Sequence, residues 1–132
     1  MNIRELLKAW LIEHSEIELA ILFGSYAKGN ETQLSDVDVA IQLASGRCLG
    51  AEAKVSYLDD LSCLLGKNVD LVDLRVVGQP LLSQIMKYGY CLVGEQQAFG
   101  LLAVRNVNSV QDFMPNIEQM LMDRRQRWLV DG

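Results

Sequence analysis

LFGSYAKGNETQLSDVDVAIQL, Leu22 to Leu43, is the stretch on which the fold turns. An apolar run stops at Gly24-Ser25, ten mostly polar residues follow, and strand-like sequence resumes with Asp36-Val37-Asp38. Upstream, Glu18 to Phe23 is a short apolar run ended by Gly24, which predicts a first strand. Downstream, Val37, Val39 and Ile41 alternate with Asp36, Asp38 and Ala40, the period of two expected when a strand over 36–43 buries one face and exposes the other. Two strands joined in this way place a glycine turn and two carboxylates within reach of each other.

A glycine at a strand end lets a ligand approach the backbone, and free amides in the turn that follows can bind phosphate oxygens, with the Ser25 hydroxyl as a further donor. Asp36 and Asp38 point the same way with α-carbons roughly 6.6 Å apart. That spacing suits two divalent cations about 3.5 to 4 Å apart, which would relieve the carboxylate repulsion. A nucleoside triphosphate needs such cations to bridge its phosphates.

The segment NVDLVDL, Asn68 to Leu74, predicts a third strand and offers Asp70 and Asp73. Their odd spacing sends them to opposite faces, so one can join the metals while the other must be solvated, capped or paired. Asp70 matches the level of Asp36 and Asp38 if strands two and three run parallel, as a long helical crossover between Ala44 and Lys67 permits. For Gly24 and Ser25 to reach the same place, strand one must run antiparallel to strand two. The expectation is an α/β domain with a small mixed sheet flanked by helices.

The remaining pattern fits such a domain. Ile3, Leu6, Leu7, Trp10, Leu11 and His14 share a helical face, and His14, the only histidine, reads as a half-buried helix-end residue. In the long helix Ala51, Val55, Leu58, Ser62 and Leu65 are expected on one side, with Gly66 as the stop. Gly78 and Pro80 introduce a short helix to about Tyr88, and Tyr90 to Val93 reads as a fourth strand. Residues 94–111 have no single pattern, and Pro115 opens a closing helix of about 115–130 on which Ile117, Met120, Leu121 and Trp128 make the apolar stripe.

The length of 132 residues predicts one domain over 1–132. The net charge of −5 opposes general attraction to phosphate backbones, so stable direct nucleic-acid binding is not expected. No stretch has the apolar length of a membrane span and the N-terminus lacks a secretory pattern, which sets cytoplasmic location as the expectation. Cys48, Cys63 and Cys91 have neither zinc-site nor disulfide spacing and read as reduced, mostly buried residues. Lys28, Arg47 and Arg75 read as solvated charges, although Lys28 and Arg47 flank the motif and could touch phosphates. Arg124, Arg125 and Arg127 form a basic cluster near the end.

Gly24-Ser25, ten residues, then Asp36-Val37-Asp38, followed by NVDLVDL, resembles the signature of the DNA polymerase β-like nucleotidyltransferase superfamily. The likeness runs to about Gly94 and is strongest to the minimal nucleotidyltransferases, the MntA-type antitoxins paired with HEPN-domain toxins. It implies that Gly24 and Ser25 hold the triphosphate of ATP. It implies also that Asp36 and Asp38 bind two magnesium ions, and that Asp70 binds the catalytic magnesium and helps deprotonate the acceptor hydroxyl. Larger members carry extra domains for the acceptor, for which this chain has no space. The expected activity is therefore AMP transfer from ATP to a tyrosine hydroxyl of a HEPN ribonuclease toxin. The alternatives are an antitoxin that acts by stoichiometric contact alone, and an antibiotic nucleotidyltransferase completed by homo-oligomerisation.

Overall fold

Asn2 starts the chain's first helix: its side-chain Oδ1 accepts a hydrogen bond from the Glu5 amide at 2.9 Å, a cap of about 1 kcal/mol. In a computed structural model that describes residues 2–94 and residue 100, helix α1 (Ile3–Ile12) buries Leu7, Trp10 and Leu11. Then follow strand β1 (Ile17–Phe23), the single turn α2 (Ser25–Lys28), strand β2 (Val37–Leu43) and helix α3 (Ala51–Leu65). Strand β3 (Val69–Asp73), helix α4 (Leu81–Tyr88) and strand β4 (Tyr90–Val93) complete the described order. The expected closing helix over 115–130, residues 95–99 and 101–114, and the Arg124, Arg125 and Arg127 cluster lie outside the described residues.

The sheet order is β3-β2-β1-β4. Strands β1 and β2 are antiparallel, β2 and β3 parallel, and β1 and β4 antiparallel, so the mixed sheet required by the shared site is present. The parallel pair is made possible by α3, whose fifteen residues carry the chain back to the starting end of β2. Gly66 stops this helix as expected, in the left-handed conformation at φ +65°, and its amide donates to the Ser62 carbonyl at 2.9 Å.

Two cores result, one on each face. Ala20, Leu22, Val37, Val39, Ile41 and Leu71 face α1 and α3, whereas Leu19, Ile21 and Ala40 face Leu82, Ile85 and Met86 of α4. This corrects the reading of β2 as a strand with one exposed face: Ala40 is fully buried, because α4 covers that end of the second face. The face of α3 also differs from expectation. Val55 is 58% exposed and Ala51 is exposed, while Tyr57 and Leu61 are buried with Ala53, Leu58 and Leu65 packed nearby.

Tyr57 sets that rotation. Its ring stands edge-on to Trp10 at 5.2 Å and its hydroxyl donates to Glu16 Oε2 at 2.7 Å, so an amphipathic side chain lies inward where a stripe of aliphatic residues was expected. His14 lies half-buried at the end of α1 as expected, stacked on Trp10 at 3.9 Å, with Nδ1 2.8 Å from the Trp10 carbonyl oxygen. All three cysteines are free, but Cys48 and Cys63 are exposed and Cys91 half-buried, contrary to the burial expected of them. They occupy the connection after β2, the outer side of α3 and an edge strand. No helix among the described residues is long and apolar enough to cross a membrane.

Candidate active site

The site begins where β1 ends. Phe23 is the register partner of Asp38, so the next residue, Gly24, is carried directly past the Asp38 side chain. Gly24 has φ +75°, and a Cβ at this position would overlap Asp38 Oδ2 and lie 3.3 Å from Asp38 Cγ. Both the backbone conformation and the contact require glycine. The chain then turns into α2, with Ser25 half-buried at its start and Gly29 ending it in the left-handed conformation.

Parallel pairing brings the second half together. Asp38 of β2 is the register partner of Asp70 of β3, and the Val37 amide donates to the Asn68 carbonyl at 2.9 Å. Asp38 and Ala40 point to the α4 face of β2, and Asp70 and Val72 to the same face of β3. Asp36 stands exposed just ahead of β2. Burial first, and then the negative charges of Asp70 and Asp36, push the Asp38 carboxyl above its ordinary value. Asp38 thus senses the charge of both of the others.

Asp73 takes the other fate foreseen by the odd spacing. Its Oδ2 accepts from the Leu49 amide at 2.8 Å and its Oδ1 from the Arg75 amide at 3.0 Å, which makes it a loop and turn anchor on the opposite face. Arg75 is not a solvated charge: it bonds Glu18 at 3.1 Å and the Leu43 carbonyl at 2.8 Å. Leu43 is the far end of β2 from Asp38, and Arg47 belongs to that far end too, near Glu16 and Tyr57. Neither arginine joins Gly24. Lys28 does lie beside the glycine turn, at the end of α2.

Sequence reasoning passed over the loop that presents Asp36. Ser35 Oγ accepts from the Thr32 amide at 2.8 Å, Thr32 Oγ1 accepts from the Leu34 amide at 3.2 Å, and Lys67 Nζ donates to the Gln33 carbonyl at 3.4 Å. The Thr-x-x-Ser spacing was the available signal, since such hydroxyls hold local turns. The loop leaves Leu34 93% exposed. It also walls a cavity of about 430 Å³ bounded by Ser35, Asp36, Ser62, Lys67 and Asn68.

Carboxylates are hard oxygen donors of the kind magnesium takes. Among the described residues no group of three or more His, Cys, Asp or Glu side chains is preassembled to hold a metal by itself. Magnesium does not demand one: it retains water and binds through one or two carboxylates together with substrate phosphates. The donor set therefore fits magnesium carried in with a nucleotide, and the mutual repulsion at Asp38 favours such a cation.

A mixed sheet that sets a glycine-serine turn against paired strand carboxylates defines a nucleotidyltransferase. Residues 5–98 match the family described as polymerase beta, nucleotidyltransferase, and the chain belongs to that family. It is 30% identical over 123 residues to the protein adenylyltransferase MntA of Shewanella oneidensis, covering 93% of this chain and 87% of that one. A crystal structure of a toxin-antitoxin with AMP-PNP contains a chain that superposes with a TM-score of 0.70 at 30% identity, over 99% of this chain and 98% of the other. A structure of the tri-AMPylated Shewanella oneidensis HEPN toxin in complex with MNT antitoxin matches at 0.61 and 28% identity, over 97% of each chain. The expected likeness to MntA-type antitoxins is borne out.

Proposed function

We propose that this chain is a protein adenylyltransferase antitoxin that moves AMP from ATP to a tyrosine hydroxyl of a HEPN-type toxin. The observation that carries the reading is that Asp38 has Gly24, just past the end of β1, on one side and its register partner Asp70 of β3 on the other. Its support from relatives is the MntA adenylyltransferase and the AMPylated toxin held by an MNT antitoxin.

Gly24 and Ser25 receive the triphosphate, since the turn has no side chain in the way and offers backbone amides and a hydroxyl. Asp36 just ahead of β2 and Asp38 within it hold the nucleotide's cations, and Asp70 reaches the acceptor side from β3. Asp36, Asp38 and Asp70 would hold magnesium, as two ions, whose positive charge would offset the negative charge that develops on the phosphates. The acceptor oxygen bonds to the α-phosphorus while the bond from that phosphorus to the α,β-bridging oxygen breaks. Asp70 takes the hydroxyl proton, and pyrophosphate leaves with the electron pair. Alignment of hydroxyl and phosphorus supplies much of the rate, because Asp38 and Asp70 stand on hydrogen-bonded strands rather than on free loops.

The experiment is to combine the chain with its HEPN partner, ATP and magnesium and to weigh the partner by mass spectrometry. Whole AMP increments are expected with wild type and none with Asp36→Ala plus Asp38→Ala. No increment with wild type, or the same increment with the double variant, overturns the enzymatic reading. Full neutralisation of the toxin by the double variant would establish action by contact instead.

A further inference from the structure

The loop ahead of β2 holds an apolar side chain out in solvent. The Leu34 amide donates to Thr32 Oγ1 at 3.2 Å, the Ser35 amide to the Thr32 carbonyl at 3.1 Å and the Thr32 amide to Ser35 Oγ at 2.8 Å. Lys67 Nζ, from the connection between α3 and β3, donates to the Gln33 carbonyl at 3.4 Å. A loop tied by these four hydrogen bonds keeps Leu34 93% exposed, where a leucine would gain from burial. Leu34 lines the cavity of about 430 Å³ that also borders Asp36, Ser62, Lys67 and Asn68. Val37 pairs with Val69, so Asp36 and Asn68 lie level with each other just ahead of the two strands, and Asp70 comes two residues after Asn68. The cavity therefore adjoins the carboxylates at the start of the β2-β3 pair.

We propose that this cavity docks the acceptor segment of the partner toxin: the tyrosine enters past Asn68 toward Asp70, and an apolar residue beside it in the partner's chain rests on Leu34. The proposal rests on the transferase reading above and deepens it by naming the surface that selects the acceptor. The geometry of displacement decides the side. An acceptor oxygen approaches the α-phosphorus opposite the bond that breaks. The strand order sets Gly24-Ser25, where the departing phosphates lie, on the β1 side of Asp38, and Asp70 on its β3 side. The acceptor consequently enters from the β3 side, which the cavity borders through Lys67 and Asn68. Size and chemistry agree with an inserted segment. A cleft of about 430 Å³ holds a few side chains and not a domain. The Ser62 hydroxyl and the Asn68 amide can bond the backbone of such a segment, and Leu34 becomes covered only when the segment is seated.

The test measures, in the full chain, AMP transfer to the HEPN partner as kcat/KM for that partner, and separately the affinity for ATP with magnesium. Leu34→Ser is expected to lower kcat/KM about tenfold, the scale of one buried apolar side chain, and to leave ATP affinity and melting temperature at wild-type values. Leu34→Met should recover most of the transfer, because it restores apolar contact of similar volume. Ser62→Trp, which fills the cavity from α3, should lower transfer with ATP affinity again unchanged. Val55→Ser removes another exposed apolar side chain, on the outer side of α3, and should transfer as wild type does. Wild-type transfer by Leu34→Ser, or by Ser62→Trp that melts as wild type does, would overturn this proposal alone. So would an equal loss in Val55→Ser, or a loss of ATP affinity in Leu34→Ser as large as its loss of transfer, which would put the nucleotide in the cavity. A wild-type chain that adds no AMP to the partner would overturn the transferase reading and this one with it.

Discussion

Asp38 occupies the space that a side chain at position 24 would need. Its Cγ would stand 3.3 Å from a Cβ on Gly24, and its Oδ2 would overlap it, while Gly24 holds a φ of +75° that other residues resist. One residue's lack of a side chain thus sets how closely the glycine-serine turn approaches Asp38.

Gly24→Ala is accordingly expected to push β1 and β2 apart at their shared end. Strain from the positive φ and the overlap should lower stability by about 1 to 3 kcal/mol. Displacing the turn should slow AMP transfer about a hundredfold, the scale on which small misplacements act. Thermal unfolding and single-turnover transfer measure the two effects. A variant with full activity would show that the close approach is dispensable.

Asp38→Asn should stabilise the nucleotide-free fold while abolishing transfer. Because the folded Asp38 carboxyl titrates above its unfolded value, its ionisation disfavours the fold: the associated stability is present below the unfolded value and is lost as pH rises through the folded one. At neutral pH the variant should melt about 1 to 3 °C higher than wild type, a small shift because the group is only partly buried. The difference should shrink as pH is lowered past the carboxylate range. A lower melting temperature for Asp38→Asn at neutral pH would contradict the electrostatic account.

Asp70 and Asp73 separate chemistry from architecture. Asp70→Asn should leave the melting temperature near wild type and remove transfer, since Asp70 is exposed beside Asp38. Asp73→Asn should retain the chemistry but destabilise by about 1 to 2 kcal/mol, because a neutral amide replaces a carboxylate that accepts from the Leu49 and Arg75 amides. Comparing transfer rate with denaturant midpoint for the pair decides the matter, and an exchange of the two outcomes would reverse their roles.

Tyr57→Phe should lower stability at pH 7 by about 0.5 to 1 kcal/mol, the value of a partly exposed hydrogen bond to a carboxylate. The Tyr57 hydroxyl holds the Glu16 carboxyl below its ordinary value, so this stability is present above the unfolded Glu value of 4.5 and is lost as pH falls through the folded one. At the alkaline end the Tyr57 hydroxyl is itself pushed up to about 12, by burial first and then by Glu16, so its neutral bonded form persists below that pH. Urea midpoints at pH 7 and pH 3 should converge between wild type and variant at the acid end. A constant gap across that range would rule out the Glu16 bond as its source.

Much of the site was legible because its information is local. The period of two in Asp36 to Ile41 and the glycine stop after Phe23 are properties of neighbouring residues, and the parity of Asp70 and Asp73 follows from strand geometry alone. The meeting of two lysines on one tyrosine ring was not legible. Lys28 and Lys87 are far apart in the chain and meet at Tyr88 only because Gly89 lets α4 seat on β1. The burial of Tyr57 was hidden for the same reason, since a tyrosine goes inward only where a distant acceptor such as Glu16 satisfies its hydroxyl.

By itself the order of residues determined the strands, the glycine turn and the three acidic positions, because backbone conformation and side-chain alternation are set by near neighbours. Tertiary structure decided how closely Gly24 approaches Asp38, how α3 is rotated on the sheet and that Lys28 and Lys87 meet on the Tyr88 ring. Those depend on pairing register and on the seating of helices, where contacts between distant segments outweigh local preference.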